Sequence, residues 1–450
     1  MREEKIPQGY KKTEVGVIPD DWDMKRLKEI SPSQSVGLVI NPSSYYSNLG
    51  TVPMLVGSQI FENKIKWATA NKITVDSNSR LPASRLNQGD LVTVRVGDPG
   101  VTAVIPSELD QSNCASMMII RQSKAFDSYW LCFLMNSRVG RSQIESVQYG
   151  TAQKQFNIVD AVDFLFPFPS KKEQTAIATA LSDVDALICE LEKIISKKQA
   201  IKTATMQQLL TGKTRLPQFA LRENGTIKGY KQSELEEIPE DWGVKTVYEL
   251  AEKQKSQFDD GDWVEAEHIT DRGIRLIQTG NIGIGQYVEK DTKKYIYPTS
   301  FEKLKCKELQ KGDLLICRLA EPAGRACIFY NIGEQRVITS VDVTIFRPSS
   351  YLADRKFYVQ YFSFDVWFKS VLEQVGGTTH KRISRGALGR ISVPYPSIQE
   401  QTAIATILSD MDSEIQALEK RLVKTGQIKQ GMMQELLTGK TRLLQGTVNT

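Results

Sequence analysis

EQTAIAT, Glu173–Thr179, returns letter for letter at Glu400–Thr406, and LLTGKTRL, Leu209–Leu216, returns at Leu436–Leu443. The two displacements are equal, 400 − 173 = 436 − 209 = 227 residues. From 173 to 216, roughly 28 of 44 positions match their partners, which chance does not supply, so the chain holds a duplicated unit. Working outward, GYKKTEVGVIPDDW ending at Trp22 resembles GYKQSELEEIPEDW ending at Trp242, a shift of 242 − 22 = 220. NQGDLVTVR (Asn87–Arg95) resembles QKGDLLICR (Gln310–Arg318), and YGTAQKQF (Tyr149–Phe156) lies over GGTTHKRI (Gly376–Ile383). The drift from 220 to 227 implies small loop insertions in the second copy. Between these anchors the copies differ widely. Each copy thus joins a nearly invariant helical part to a divergent globular part, as expected if two different things are read.

The invariant part begins after Pro167 and Pro169. Ser170–Leu210 contains no Pro or Gly, and Leu181, Val184, Ile188, Leu191 and Ile195 step by three and four. Leu408, Met411, Ile415, Leu418 and Leu422 repeat the pattern. Such a narrow apolar stripe is the seam of a coiled coil, antiparallel or parallel; as a surface against a globular domain it would be underfilled. A helix of about 40 residues is on the order of 60 Å long, and Gly426 and Gly431 predict a bend in the second. The divergent part, from about Trp22 to Pro169, reads as short strands (LVTVRVG, TAVIP, SMMIIRQ) with a helix over Asp127–Val139 and its counterpart over Asp354–Lys369. The expected fold is α+β: two mixed α/β domains, residues 1–169 and 217–396, alternating with long helices in 170–216 and 397–450 that pair as a coiled coil with pseudo-twofold symmetry.

Composition bounds the function. A chain of 450 residues, 40% hydrophobic and 25% charged, exceeds what one core supports. The opening MREEKIPQGYKK has no apolar secretory stretch, so a cytoplasmic location is expected. Cys114, Cys132, Cys189, Cys306, Cys317 and Cys327 form no CxxC pair, and His268 and His380 are the sole histidines, so no metal site is expected. The net charge of +5 permits a polyanionic partner without requiring one.

Motifs that suggest catalysis fail on spacing. TGKT at Thr211–Thr214 and Thr438–Thr441 lacks the first phosphate-loop glycine, whose place is held by Gln207 and Gln434, and it follows a helix. Gly212 and Gly439 read instead as helix caps, with Lys213 and Lys440 favourable to the dipole. Asp183 with Asp185, and Asp410 with Asp412, point to different sides of a helix and read as solvated or partner contacts. Asp20, Asp23 and Lys25 are too close together for a nuclease centre, and Gly243 replaces Asp23 in the second copy. GNIGIG (Gly280–Gly285) has the wrong spacing for a dinucleotide loop. Asn41-Pro42-Ser43-Ser44 lacks the aromatic of an adenine methylase loop. No catalytic site is expected.

What remains is polar and basic residues beside glycines at matched places. Thr151, Gln153, Lys154 and Gln155 lie over Thr378, Thr379, His380, Lys381 and Arg382, offering hydroxyls for phosphate and Gln, Lys or Arg for base edges. Arg95 and Arg318 leave matched strands. Lys64, Lys66 and Trp67 in the first copy, and Gln278, Thr279, Asn281 and Lys290 in the second, sit in segments of suitable composition. These are the candidate DNA contacts.

Taken together, the IP-x-D-W start, the GD step before a strand, the Gly-Thr segment leading through Pro-x-Pro to E-Q-x-x-I, and the L-L-T-G-K end resemble, twice over, the specificity subunits of Type I restriction-modification systems (the HsdS family). The resemblance covers nearly the whole chain. It implies two target recognition domains, each reading half of a split DNA site, with paired helices as a ruler. It further implies docking of two modification subunits that bring S-adenosylmethionine, with restriction subunits as a possible addition and no cofactor on this chain. The competing readings are a coiled-coil adaptor that ignores DNA, which would show neither salt-sensitive nor sequence-dependent binding, and a self-sufficient nuclease or methyltransferase, whose motifs are missing.

Overall fold

The computed structural model describes residues 6–151, 153–376 and 381–443. It is a mixed helix and strand fold in which two globular modules alternate with long helices, Lys171–Leu209 and Ile398–Leu436, of 39 residues each. Compactness divides the chain into two units that cut both helices near their middles. One takes residues up to Glu192 and from Lys420 onward; the other is Lys193–Glu419. Each unit therefore owns the first half of its own helix and the last half of the other. No helix among the described residues is long and apolar enough to cross a membrane.

In the first unit an antiparallel sheet runs Thr102–Val104, Leu91–Val94, Met117–Ile120, Gln34–Val36. The second unit repeats it as Ala326–Ile328, Leu314–Cys317, Val343–Phe346, Phe258–Asp260. The two central strands of each sheet are buried at every position because both faces are covered. Alternation assigns the faces: Leu91, Met118 and Ile120 join a core with the Ser128–Asn136 helix and Leu181, while Val92, Val94, Met117 and Ile119 join a second core with Leu55 and Ile60. Leu314, Ile316 and Phe346 against Leu315, Cys317, Val343 and Ile345 divide the same way. A smaller sheet, Asn113–Cys114, Val52–Leu55, Lys72–Ile73, has a fourth edge strand, Ile269–Thr270, in its second-unit counterpart.

The helix expected over Asp127–Val139 is two. Asp127 caps Ser128–Asn136 by accepting from the Tyr129 and Trp130 amides (3.0 and 3.1 Å), and the chain breaks at Ser137 before Arg138–Val147. The turn is so close that a Cβ on Gly140 would strike the Met135 carbonyl. Asp354 caps Arg355–Tyr361 likewise, followed by Asp365–Glu373. The second long helix is continuous through Gly426 and Gly431.

Within each unit the helix halves run antiparallel. In the first, Lys429 meets Asp185 (2.5 Å); in the second, Lys202 meets Asp412 (2.5 Å) and Lys198 meets Glu414 (2.7 Å). The former DxD residues thus include two that bind the facing helix. Leu181, Leu191, Ile195, Leu408 and Ile415 are buried, while Val184, Ile188, Met411, Leu418 and Leu422 are partly so.

Both helices end on a left-handed glycine, Gly212 (φ +72°) and Gly439 (φ +69°). A Cβ there would lie 2.5 Å from Cδ of Pro239 or Pro19 and about 3.1–3.2 Å from the Trp242 or Trp22 ring. The indole nitrogen of Trp242 donates to Glu400 (2.9 Å), and that of Trp22 to Glu173 (3.1 Å). Arg215 bridges Glu400 and Asp241, as Arg442 bridges Glu173 and Asp21. Gln174 and Gln401 accept from the Asp127 and Asp354 amides, and Thr175 and Thr402 donate to those carboxylates. The repeated words therefore meet in one joint, made twice.

Candidate nucleic-acid interface

Beyond the joint, each central strand ends in an arginine and a glycine-bearing turn. In the first unit Val96 bridges Gln155, Gly97 N donates to Lys154 O (3.0 Å), and Tyr149 and Gln155 exchange two bonds of 2.9 Å. The loop Gly150–Lys154 is closed at its base by these bonds, with Thr151, Gln153 and Lys154 exposed. Gly150 (φ +96°) allows the turn, since a Cβ would strike Gln153 O. In the second unit Leu319 bridges Arg382, Ala320 N donates to Lys381 O (3.1 Å), and Gly376 exchanges two bonds with Arg382. The base is the same; the tip residues Thr378, Thr379 and His380 lie outside the described residues. Lys381 and Arg382 are exposed, and Arg382 pairs with Asp342 at 2.8 Å.

A second matched element lies beside the first. The Gly57–Gln59 turn packs on Val94, close to Val96, and is held by Gln59, whose Oε1 accepts from Val56 N (2.8 Å). A hairpin, Ile60–Phe61 with Lys64–Ile65, follows, exposing Lys64, Lys66 and, less fully, Trp67. The Lys66 ammonium stands 4.5 Å from the Phe61 ring centre. In the second unit Thr279–Asn281 takes this place, and Arg325 ties it to the arginine turn by donating to Thr279, Ile282 and Leu319 carbonyls. Sequence reasoning passed over Ser58, which this turn exposes; the signal was the match of V-G-S-Q-I (56–60) to Q-T-G-N-I (278–282).

Two candidates are withdrawn into the structure. Asn281 is 4% exposed, accepts from Gln278 N (3.0 Å) and donates to Val288 O (2.9 Å), so its amide holds the turn and has no edge left for a base. Arg318 is 3% exposed, forms an ion pair with Asp260 at 3.0 Å, and donates hydrogen bonds to the carbonyls of Ile383 and Val341. Burial pulls its pKa down, against the attraction of Asp260. Its equivalent Arg95 is half-buried, donates to Phe156 O (3.3 Å), and has no carboxylate partner among the described residues. Gln278 and Thr279 are partly buried, and Lys290 is exposed, its ammonium over Gly280. Among the described residues no group of three or more His, Cys, Asp or Glu could hold a metal ion.

The pattern is two copies of one rigid loop base carrying different tips. The family described as Type I restriction modification DNA specificity domain matches residues 19–203 and 239–425. The chain belongs to that family. Its similarity extends to the Type I restriction enzyme MjaVIII specificity subunit of Methanocaldococcus jannaschii, 25% identical over 438 residues, which span 95% of this chain and 94% of that one. Among solved structures, the S subunit of a Type I restriction-modification system from M. genitalium aligns with TM-score 0.58 at 15% identity, covering 96% of this chain and 98% of that one. A chain from a structure of a Type I R-M system, solved for its assembly and conformational transition, aligns with TM-score 0.52 at 16% identity, covering 94% and 99%. As a member of this specificity family the chain confers DNA sequence recognition on a restriction-modification complex and is not itself the catalyst.

Proposed function

We propose that each unit reads one half of a split, asymmetric DNA target, using the Gly-Thr loop and the neighbouring turn. The observation that carries this is the identity of the loop base against the difference of its tip: Val96–Gln155 and Leu319–Arg382 bridge alike, while Thr151, Gln153 and Lys154 give way to the segment ending in Lys381 and Arg382. A fixed scaffold with a changed tip is what two unlike half-sites require. The paired long helices fix the unread spacer and dock two modification subunits, on which S-adenosylmethionine and the methylating site reside; restriction subunits are a further partner. Such a complex works where the DNA is, in the cytoplasm. Methylome sequencing of a host carrying this chain with its modification partner tests the reading. A motif of two different half-sites around a spacer of constant length is expected; a contiguous or palindromic motif would overturn it.

A further inference from the structure

The short helix Arg385–Arg390 follows the exposed Lys381–Arg382 segment and forms one wall of a cleft of about 580 Å³ in the second unit. Phe258 and Tyr248 line its apolar side, and Lys253, Lys255, Arg385 and Arg390 supply four cations against a single carboxylate, Glu249. Two of the cations are already used. Lys253 lies 3.2 Å from Glu249, and Arg385 pairs with Asp259. Arg390 and Lys255 are exposed and have no ion-pair partner among the described residues. Gly386 borders the cleft exposed and without a side chain, while Gly389 lets the helix seat against Phe258 and Tyr248, which a Cβ there would meet at 3.0 and 3.2 Å.

The matched place in the first unit is built from other residues. Subtracting 227, Arg385, Gly386, Gly389 and Arg390 correspond to Ile158, Val159, Val162 and Asp163. Asp163 is paired with Lys28 (2.6 Å) and Arg26 (3.3 Å). Cation has become carboxylate, and glycine has become valine.

We propose that this cleft holds a phosphodiester of the DNA backbone flanking the half-site read by the second unit, bound by Arg390 and Lys255, and that the first unit makes no equivalent contact. The proposal rests on the DNA reading above. Two free cations beside two neutralised pairs suit a single negative charge, and an apolar wall beneath them suits the sugar that accompanies it. The consequence is an unequal footprint, with the second unit gripping further outside its half-site.

The test uses the full chain with its modification partner, bound to target duplex across a salt series. Arg390→Gln with Lys255→Gln is expected to lower affinity roughly threefold to tenfold and to reduce the slope of log K against log salt by about 0.9, equally for target and non-target duplex. Arg390→Lys should keep the slope. One methylphosphonate at the flanking phosphate should weaken the parent protein and leave the double variant unaffected. Unchanged slope and affinity in the double variant, with target preference intact, would overturn the cleft while sparing the DNA reading. If the parent complex shows neither target preference nor salt dependence, the DNA reading fails and the cleft falls with it.

Discussion

At the joint the two units share the same arginine–carboxylate and tryptophan–glutamate bonds; at the loops they part. Arg215 and Arg442 each bridge two carboxylates, and Trp242 and Trp22 each cap a helix end. One residue from the loop base, by contrast, Arg318 is sealed by Asp260 while Arg95 is left open, because the first unit has Val36 where the second has Asp260 and Ser116 where the second has Asp342. The near-invariant residues therefore serve construction, and the divergent ones are where recognition has room to vary. Identity between copies, usually read as a sign of function, here marks the carpentry.

The sharpest way to break that comparison is at the joint itself. The Arg215 side chain is 6% exposed and its partner Glu400 2%, whereas Arg442 is 37% exposed. Arg215→Ala strands a buried carboxylate and should cost about 3–5 kcal/mol, while Arg442→Ala should cost about 1 kcal/mol. Peptide-level hydrogen exchange on the full chain reads each unit separately. Equal losses would show that burial does not distinguish the two joints.

Next in size is the arginine at the strand end. Arg318→Ala should destabilise the second unit by about 3 kcal/mol, since Asp260 loses its buried partner, with any loss of DNA binding following from unfolding. Arg95→Ala should leave thermal stability within about 0.5 kcal/mol and weaken target binding by about 1–3 kcal/mol. If both variants lose only affinity, Arg318 belongs among the DNA contacts after all.

How much of this was legible follows the same division. The duplication, the long helices and the central strands were written in repeated words, in three-four periods and in short β-branched runs, which are local properties. The break at Ser137 was not, because residues 128–136 and 138–147 are both good helix and no Pro separates them. Asn281 reads as a surface residue because it follows a glycine in a turn, and Arg318 because it leaves the end of a strand. Their burial depends on Val288, Asp260 and Ile383, which the fold brings from elsewhere. The helix-ending role of TGKT was readable from Gly212 and Gly439; the seat those glycines take against Pro239, Trp242, Pro19 and Trp22 was not.

Smaller again is the effect at the loop tips. Lys154→Ala, at an exposed residue of the first unit's loop tip, should weaken target binding and lower the preference for matched over mismatched duplex, with the salt slope falling by no more than about 0.9. Arg382→Ala must also release Asp342, so part of its effect should persist in high salt. Competition binding on matched and mismatched duplexes separates the two; unchanged affinity in both would remove the Gly-Thr loop from the interface.

The smallest expected difference lies in acid, and it returns to the joint. Asp21 is held below the ordinary carboxylate range by the bond from Arg442. Asp241 is opposed by its burial, yet bonds from Arg215 and Lys228 carry it down to about 2. The second cation is the difference, for Gln8 stands in the first unit where Lys228 stands in the second. A carboxylate with a depressed native pKa adds stability above its unfolded value and loses it as pH falls through the native one. The Asp241 contribution should therefore persist until the pH nears 2, whereas Asp21, with one fewer partner, should let go earlier in the descent from pH 4. Carboxyl-resolved NMR titration of the two residues measures this directly. Lys228→Gln should bring Asp241 toward Asp21; if it does not move, the second cation is not what separates two otherwise matching joints.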